Sequence, residues 1–260
     1  MIDILSPPGL SVLRSFITPQ TLCAFDLDGT LAPIIDDPAA VALPAAVRQA
    51  MQQLCSLAPV AVITGRGCDD ARQRLGFMPR YLVGNHGLEG LPDSSVNLTE
   101  LRVLIDHWAS ELHRLLPSSI IPELLFEPKA GSLSLHYRHA ADPAAAHQAL
   151  LEAIAQLQPQ PRYVGGKYVE NLVPLGVPHK GDALLRLMEH SGAATALFVG
   201  DDETDEDVFR LADPRILSVC VGTGRSTAAR YFLQDQTRMV DLLAQLLLRS
   251  AAVMPGGKHG

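Results

Sequence analysis

The chain is poor in aromatic residues, cysteine and clustered basic charge, and each shortage removes a class of answer. One Trp, five Tyr and seven Phe among 260 residues offer little stacking surface, so a ligand would be held mainly by polar groups. The four cysteines, Cys23, Cys55, Cys68 and Cys220, form no Cys-x-x-Cys pair. Three of them lie in or beside apolar stretches, which fits buried free thiols in a reducing compartment. Zinc-type clusters of His and Cys are missing too, and His136-x-x-His139 lacks partners and reads as structural. With a formal charge of -7 and no Lys/Arg patch, neither nucleic acid nor an anionic membrane is expected as a partner. No stretch approaches the ~18 apolar residues of a membrane span, and Met1 to Gly9 lacks a basic segment leading into an apolar core. A cytoplasmic protein is expected.

What the chain does have is the composition of an ordinary globular protein, 47% hydrophobic and 19% charged, enough for a sizeable core. Its most telling stretch is Leu22-Cys-Ala-Phe-Asp26-Leu-Asp28-Gly-Thr30, an apolar run without helical period that ends on two carboxylates. Such runs are buried strands, and in open α/β sheets ligands gather beyond their carboxyl ends. If the extended path persists, Asp26 and Asp28 point to one side and can share a cation. Asp26 then suits a nucleophile and Asp28 a proton donor. The competing reading is a polar Asp-Gly-Thr turn that merely ends a strand. A calcium loop fits poorly, because Gly29 comes too early and its twelfth position is Asp37.

Around that strand, residues 20 to 90 alternate strand and helix. Pro44 to Leu57 has helical spacing, Pro59 to Ile63 is a second buried strand, a helix runs from Asp69 to Leu75, and Tyr81 to Gly84 is a third strand. From about Leu91 to Val177 the pattern changes to α-β-β-α-β-β. Its pieces are helices over 98–116 and 143–157 and strands over 124–127, 132–137, 162–164 and 168–173, with Gly165-Gly166 as the turn between the last two. The α/β pattern then resumes with a helix from Gly181, a strand Thr195 to Val199, a short helix Glu206 to Leu211, a strand Ile216 to Val221 and a final helix over 237–248. The fold class predicted is α/β, a parallel-sheet core (1–90 and 178–250) with an inserted α+β domain (91–177) and a frayed tail (251–260).

Three further motifs fall at element ends. Gly200-Asp201-Asp202-x-x-Asp205 follows an apolar strand, as Asp26 does, and two such carboxylate groups repel unless a cation sits between them. Mg²⁺ fits, as a hard ion that takes one or two carboxylates and bridges to phosphate. Thr64-Gly65-Arg66 offers a hydroxyl and backbone N–H groups for phosphate oxygens. Lys180 opens a helix, where dipole and ammonium both favour an anion.

Taken in this order, Asp26-Leu-Asp28-Gly-Thr, Thr64, Lys180 and Gly200-Asp201-Asp202-x-x-Asp205 resemble the haloacid dehalogenase superfamily of phosphotransferases. Val62-Ile-Thr-Gly-Arg66, Gly84-Asn-His-Gly-Leu88, Glu127-Pro-Lys129, Ser134-Leu-His-Tyr-Arg138, Gly166-Lys-Tyr-Val-Glu170 and Gly200 to Asp207 look, over roughly residues 20 to 245, like its trehalose-6-phosphate phosphatase family. The resemblance implies that Asp26 is the nucleophile, Asp28 the general acid and base, and Thr64 and Lys180 the phosphoryl-holding pair. It implies a Mg²⁺ site drawn from Asp26, Asp28, Asp201, Asp202 and Asp205, with Asp201 the foremost ligand of the last cluster. Gly65, Arg66, His86, Glu127, Lys129, Arg138, Lys167 and Glu170 are then candidates for binding trehalose 6-phosphate. The five charged candidates from 127 to 170, placed at strand ends or turns, mix donors and acceptors as a polyhydroxyl ligand requires. Pairing with a trehalose-phosphate synthase is implied, and a monomer is expected. Other sugar phosphatases, a mutase, a receiver-type phospho-Asp domain and a Ca²⁺ module remain as alternatives.

Overall fold

The computed structural model describes residues 1–252 other than 36, 38, 39, 93–95, 130 and 167, with backbone alone at 164, 166 and 252. In chain order the elements are β1 (Ile2–Asp3), α1 (Pro7–Phe16), β2 (Leu22–Phe25), α2 (Ala45–Leu57), β3 (Val60–Ile63), α3 (Cys68–Leu75), β4 (Tyr81–Val83), α4 (Leu98–Leu115), β5 (Leu125–Pro128), β6 (Leu133–His136), α5 (Pro143–Ile154), β7 (Arg162–Gly166), β8 (Val169–Val173), α6 (Lys180–Ser191), β9 (Ala196–Gly200), α7 (Glu206–Phe209), β10 (Ile216–Val221), β11 (Tyr231–Leu233) and α8 (Met239–Ala252). They divide into two compact units, one of Met1–Ser94 with Pro178–Gly260 and one of Ser95–Val177.

The first unit is built on a seven-stranded sheet of order β1-β11-β10-β9-β2-β3-β4, parallel throughout. β2, β3, β9 and β10 are buried at every residue, as expected of strands covered on both faces. Alternate side chains divide between two apolar layers. Cys23, Phe25, Val60 and Val62 pack with Leu13, Met51, Leu54 and Leu246, while Leu22, Ala24, Ala61 and Ile63 pack with Leu184, Leu187, Val208 and Phe209. From β2 the strand order runs to β3 and β4 on one side and to β9 onwards on the other. The reversal opens a crevice at the carboxyl ends of β2 and β9.

β1, α1 and β11 have no counterpart in the sequence reading. Two- and three-residue strands show no period, and the places of β1 at the sheet edge and β11 beside it come from pairing alone. α1 does carry a start signal, since Ser6 caps it ahead of Pro7 and Pro8.

In the second unit the element order is α-β-β-α-β-β, with an antiparallel sheet of order β5-β6-β8-β7. Asn97 and Asp142 cap its two helices. Leu133, Leu135 and Leu172 form one core with Ile105, Trp108 and Leu112 of α4 and with Leu150 and Ile154 of α5. Gly165 and Gly166 differ from expectation, for they belong to β7 and pair with Glu170 and Val169. A Gly-Gly pair is a turn signal only when pairing does not reach it. No helix among the described residues is long and apolar enough to cross a membrane.

Candidate active site

Asp26 is the first residue beyond β2 and still belongs to its ladder, donating its N–H to the Val199 carbonyl at 2.9 Å. The extended path ends there. Ala32 N–H returns to the Leu27 carbonyl and Gly29 N–H to the Ala32 carbonyl, both at 2.8 Å, so Asp28 lies in a tight loop rather than on the strand. Gly29 is needed twice over, for its φ of +79° and because a Cβ there would fall 2.0 Å from an Asp201 carboxylate oxygen. Thr30, buried one residue on, donates its hydroxyl to Asp201 Oδ1 at 2.9 Å.

The lysine arrives from far along the chain. His179 caps α6 through Nδ1, accepting from the Gly181 and Asp182 N–H groups, which places Lys180 in the first turn. Its ammonium donates to Asp26 Oδ1 at 2.8 Å and to Asp205 Oδ1 at 2.7 Å, and only 1% of the residue is exposed. Asp205 is fixed in turn, since its Oδ2 accepts the Asp202 N–H at 2.8 Å.

One oxygen from each of Asp26, Asp201 and Asp205 lies within 4.8 Å of the others. Three carboxylates this close suit a hard cation, and the donor set is oxygen alone. Burial raises Asp26 well above the usual carboxylate range; Lys180 opposes the shift and Asp205 adds to it. Asp201 is pushed up to about 7, first by burial and then by the charge of Asp205. Burial alone would lower Lys180, but Asp205 and Asp26 outweigh it and hold the ammonium protonated. Asp28 and Asp202 lie outside this cluster. Asp202 is exposed and caps the turn over 203–205.

Asp28 is instead gripped by Arg66, whose Nε and Nη2 donate to its two oxygens at 2.6 and 2.7 Å. The third donor, Nη1, reaches Asp70 at 2.8 Å, and Arg74 holds Asp70 from the other side. Both arginines keep the Asp70 carboxyl below its usual range, Arg74 foremost. Thr64, at the end of β3, is fully buried. Its N–H bonds the Val83 carbonyl, its carbonyl accepts from His86 N–H, and its hydroxyl accepts the Arg66 N–H at 3.2 Å. Gly65 makes room for His86, as a Cβ there would come 2.5 Å from the imidazole. Asn85 and His86 hold left-handed φ of 50° and 58°, and Glu89 secures this loop by accepting from Cys68 N–H and the Asn85 amide, each at 2.9 Å.

The sequence reading assigned no role to Thr30, Asp70 or Glu89. Thr30 had a signal, as the residue closing the strand-end turn. Asp70 had one too, standing four residues from both Arg66 and Arg74, whereas the Glu89 contact with Cys68 spans 21 residues and no spacing rule encodes it.

Among the candidates in the second unit, Glu127 meets His136 at 3.0 Å and Lys129 at 3.4 Å. Burial pushes the Glu127 carboxyl up, but His136 and Lys129 outweigh it and hold it below the usual range. Arg138 is exposed, and Lys167 lies outside the described residues. Glu170 does not share this surface. Glu127 pairs in register with Ser134 and Ser134 with Asn171, so those three side chains share one face. Glu170 pairs with Leu135 on the opposite, helix-covered face. It is 4% exposed, with Oε1 on His147 of α5 at 2.8 Å and Oε2 without a hydrogen-bond partner among the described residues. Strand parity turns this carboxylate inward, away from any ligand on the open face.

The reversed sheet order, the strand-end acids bridged by a buried lysine and the separate α+β unit make up a fold shared with a haloacid dehalogenase-like hydrolase from Bacteroides thetaiotaomicron, with TM-score 0.58 at 15% identity over 87% of this chain and 99% of that one. Residues 24–237 match the trehalose-phosphatase family model, and the chain belongs to that family. A trehalose-phosphate phosphatase of Mycobacterium marinum is 31% identical over 254 residues, covering 92% of this chain and 63% of its own length. The chain thus spans less than two thirds of that relative's length. Among solved structures, trehalose-6-phosphate phosphatase of Aspergillus fumigatus superposes with TM-score 0.66 at 25% identity, over 92% of this chain and 96% of its own. The C-terminal domain of the C. albicans trehalose-6-phosphate phosphatase gives 0.68 at 22%, over 95% and 98%, which speaks to fold alone.

Proposed function

We propose that this protein hydrolyses trehalose 6-phosphate to trehalose and phosphate through a phosphorylated Asp26. The observation that carries the reading is the desolvated Asp26, anchored on Lys180 at the end of a central strand and beside two further acids. Lys180 engages Oδ1, which leaves Oδ2 to attack phosphorus in line. The bond from phosphorus to the sugar oxygen breaks as Asp28 protonates that oxygen. Water then attacks the aspartyl phosphate, Asp28 takes its proton, and phosphate leaves with Asp26 restored. Both oxygens of Asp28 accept from Arg66, so this fork must open for the acid step. The Thr64 hydroxyl and the Gly65 N–H hold phosphoryl oxygens, while Lys180 offsets their charge. Mg²⁺ bound by Asp26, Asp201 and Asp205 would supply charge neutralisation at the transferring group.

Residues 91–177 serve as the cap in this reading, with Glu127, Lys129 and Arg138 meeting sugar hydroxyls. The family match and the names of the curated relatives support trehalose 6-phosphate as the sugar phosphate. Phosphate release from trehalose, sucrose, glucose and mannose 6-phosphates, with Mg²⁺ and with chelator, tests the proposal. Mg²⁺-dependent release selective for trehalose 6-phosphate is expected, and Asp26→Asn should abolish it while the circular dichroism spectrum stays native. Release from the other sugars alone would refute the substrate; activity in Asp26→Asn would refute the mechanism.

A further inference from the structure

Glu206 follows Asp205 directly, yet it is 1% exposed and bonds to neither Asp26 nor Lys180. Its Oε2 accepts the Ala228 N–H at 2.9 Å and its Oε1 accepts from Arg225 Nη2 at 3.2 Å. Both partners lie in the connection between β10 and β11. The same Arg225 Nη2 donates to the Asp202 carbonyl at 3.0 Å, and Nη1 stands 3.8 Å from Glu203. At Gly222 and Gly224 an added Cβ would meet nothing within 4 Å, so packing does little to hold the connection at these positions. Ala229 anchors its far end in the core, and the bonds on Glu206 and Arg225 tie down its middle.

The peptide that Arg225 grips is the one that sets the acid turn. The Asp202 carbonyl also accepts the Asp205 N–H at 3.1 Å, and the Asp202 N–H donates to Asp205 Oδ2. We propose that Arg225, held by the buried Glu206, is a positioning residue for the cation site, pinning the Asp202 peptide so that Asp201 and Asp205 face Asp26 before the ion arrives. The inference rests on the reading of Asp26, Asp201 and Asp205 as a cation site. Without the pin, mutual repulsion of those carboxylates spreads the turn, and the ion must gather it again.

The sign of the effect separates positioning from charge. Arg225 is near enough to Asp205 for their charges to interact. If it acted by charge alone, removing it would tighten cation binding; if it positions, removal weakens binding. Mn²⁺ titrated calorimetrically into the chelator-stripped full chain, without substrate, reads this directly. Groups that orient metal ligands are typically worth ~10–100-fold in affinity, so Arg225→Met is expected to weaken Mn²⁺ binding by about tenfold. Arg225→Lys keeps the charge and one donor, so it should lose less, and Glu206→Gln should follow Arg225→Met. A folded Arg225→Met protein that binds Mn²⁺ as tightly as the parent, or more tightly, overturns the proposal. Should that variant fail to fold, parental affinity in both Arg225→Lys and Glu206→Gln overturns it. A parent chain that binds no Mn²⁺ refutes the underlying cation site, and this inference with it.

Discussion

Lys180→Met is the sharpest test of how the site is held together. The substitution leaves the carboxylates of Asp26 and Asp205, 4% and 0% exposed, without the ammonium 2.8 and 2.7 Å away. Breaking a buried ion pair by removing one partner costs ~3–5 kcal/mol. Two lost charge-assisted hydrogen bonds at ~1.5–3 kcal/mol each reach the same range. The cost must depend on pH. Asp26 is already raised above its unfolded value, and without Lys180 it rises further. A carboxyl raised on folding contributes stability that is fully present below its unfolded pKa and is lost as pH rises through the folded value. The gap between parent and variant should therefore be small near pH 4 and widen towards pH 8. Urea unfolding by far-UV circular dichroism, in chelator and at several pH values, measures it. Fluorescence of Trp108, the chain's one tryptophan, tracks the second unit and serves as an internal control. A stability loss below ~1 kcal/mol that stays flat with pH would refute the claim that Lys180 neutralises the pair, since even one such bond exceeds that.

Three further outcomes are expected. Cation affinity, measured by calorimetry, should climb as pH rises through about 7, because Asp201, pushed up to about 7, must lose its proton to bind; a flat profile from pH 5 to 8 would contradict this. Gly29→Ala forces a side chain to φ +79° at ~1–2 kcal/mol and drives Cβ into Asp201, so both melting temperature and Mn²⁺ affinity should fall. Glu170→Gln should leave KM for trehalose 6-phosphate within about twofold, while Glu127→Gln raises it by roughly tenfold, the worth of one charged hydrogen bond; equal KM effects would mean that the two carboxylates share a surface after all.

Much of the core was readable because its information is local. β2, β3, β9 and β10 are runs of apolar residues covered on both faces, and such a run announces a buried strand without reference to anything else. The α-β-β-α-β-β order was likewise visible, because the stripe Ile105, Trp108 and Leu112 and the short strands each carry their own period. The position of Asp26 at a strand end follows from where the apolar run stops.

The wiring of the site was not readable in that way. Lys180 and Asp26 are 154 residues apart, and no spacing rule says which oxygen the ammonium takes or that Asp205 shares it. Asp28 leaves the strand through a loop closed by backbone bonds at Leu27 and Ala32, so the alternation that put it beside Asp26 ended one residue too soon. Its partner became Arg66, brought in by the neighbouring strand. Glu170 makes the same point in the second unit. Its residue type suggested a ligand contact, but its face depends on the register with Leu135 and on which side α5 covers. Sequence by itself determined the longer helices and buried strands, their order and the strand ends at which acids gather, because backbone conformation and burial answer to near neighbours. Only the tertiary structure decided which charge neutralises which, because a carboxylate taken out of water must find its counter-charge among whatever packing brings within about 3 Å.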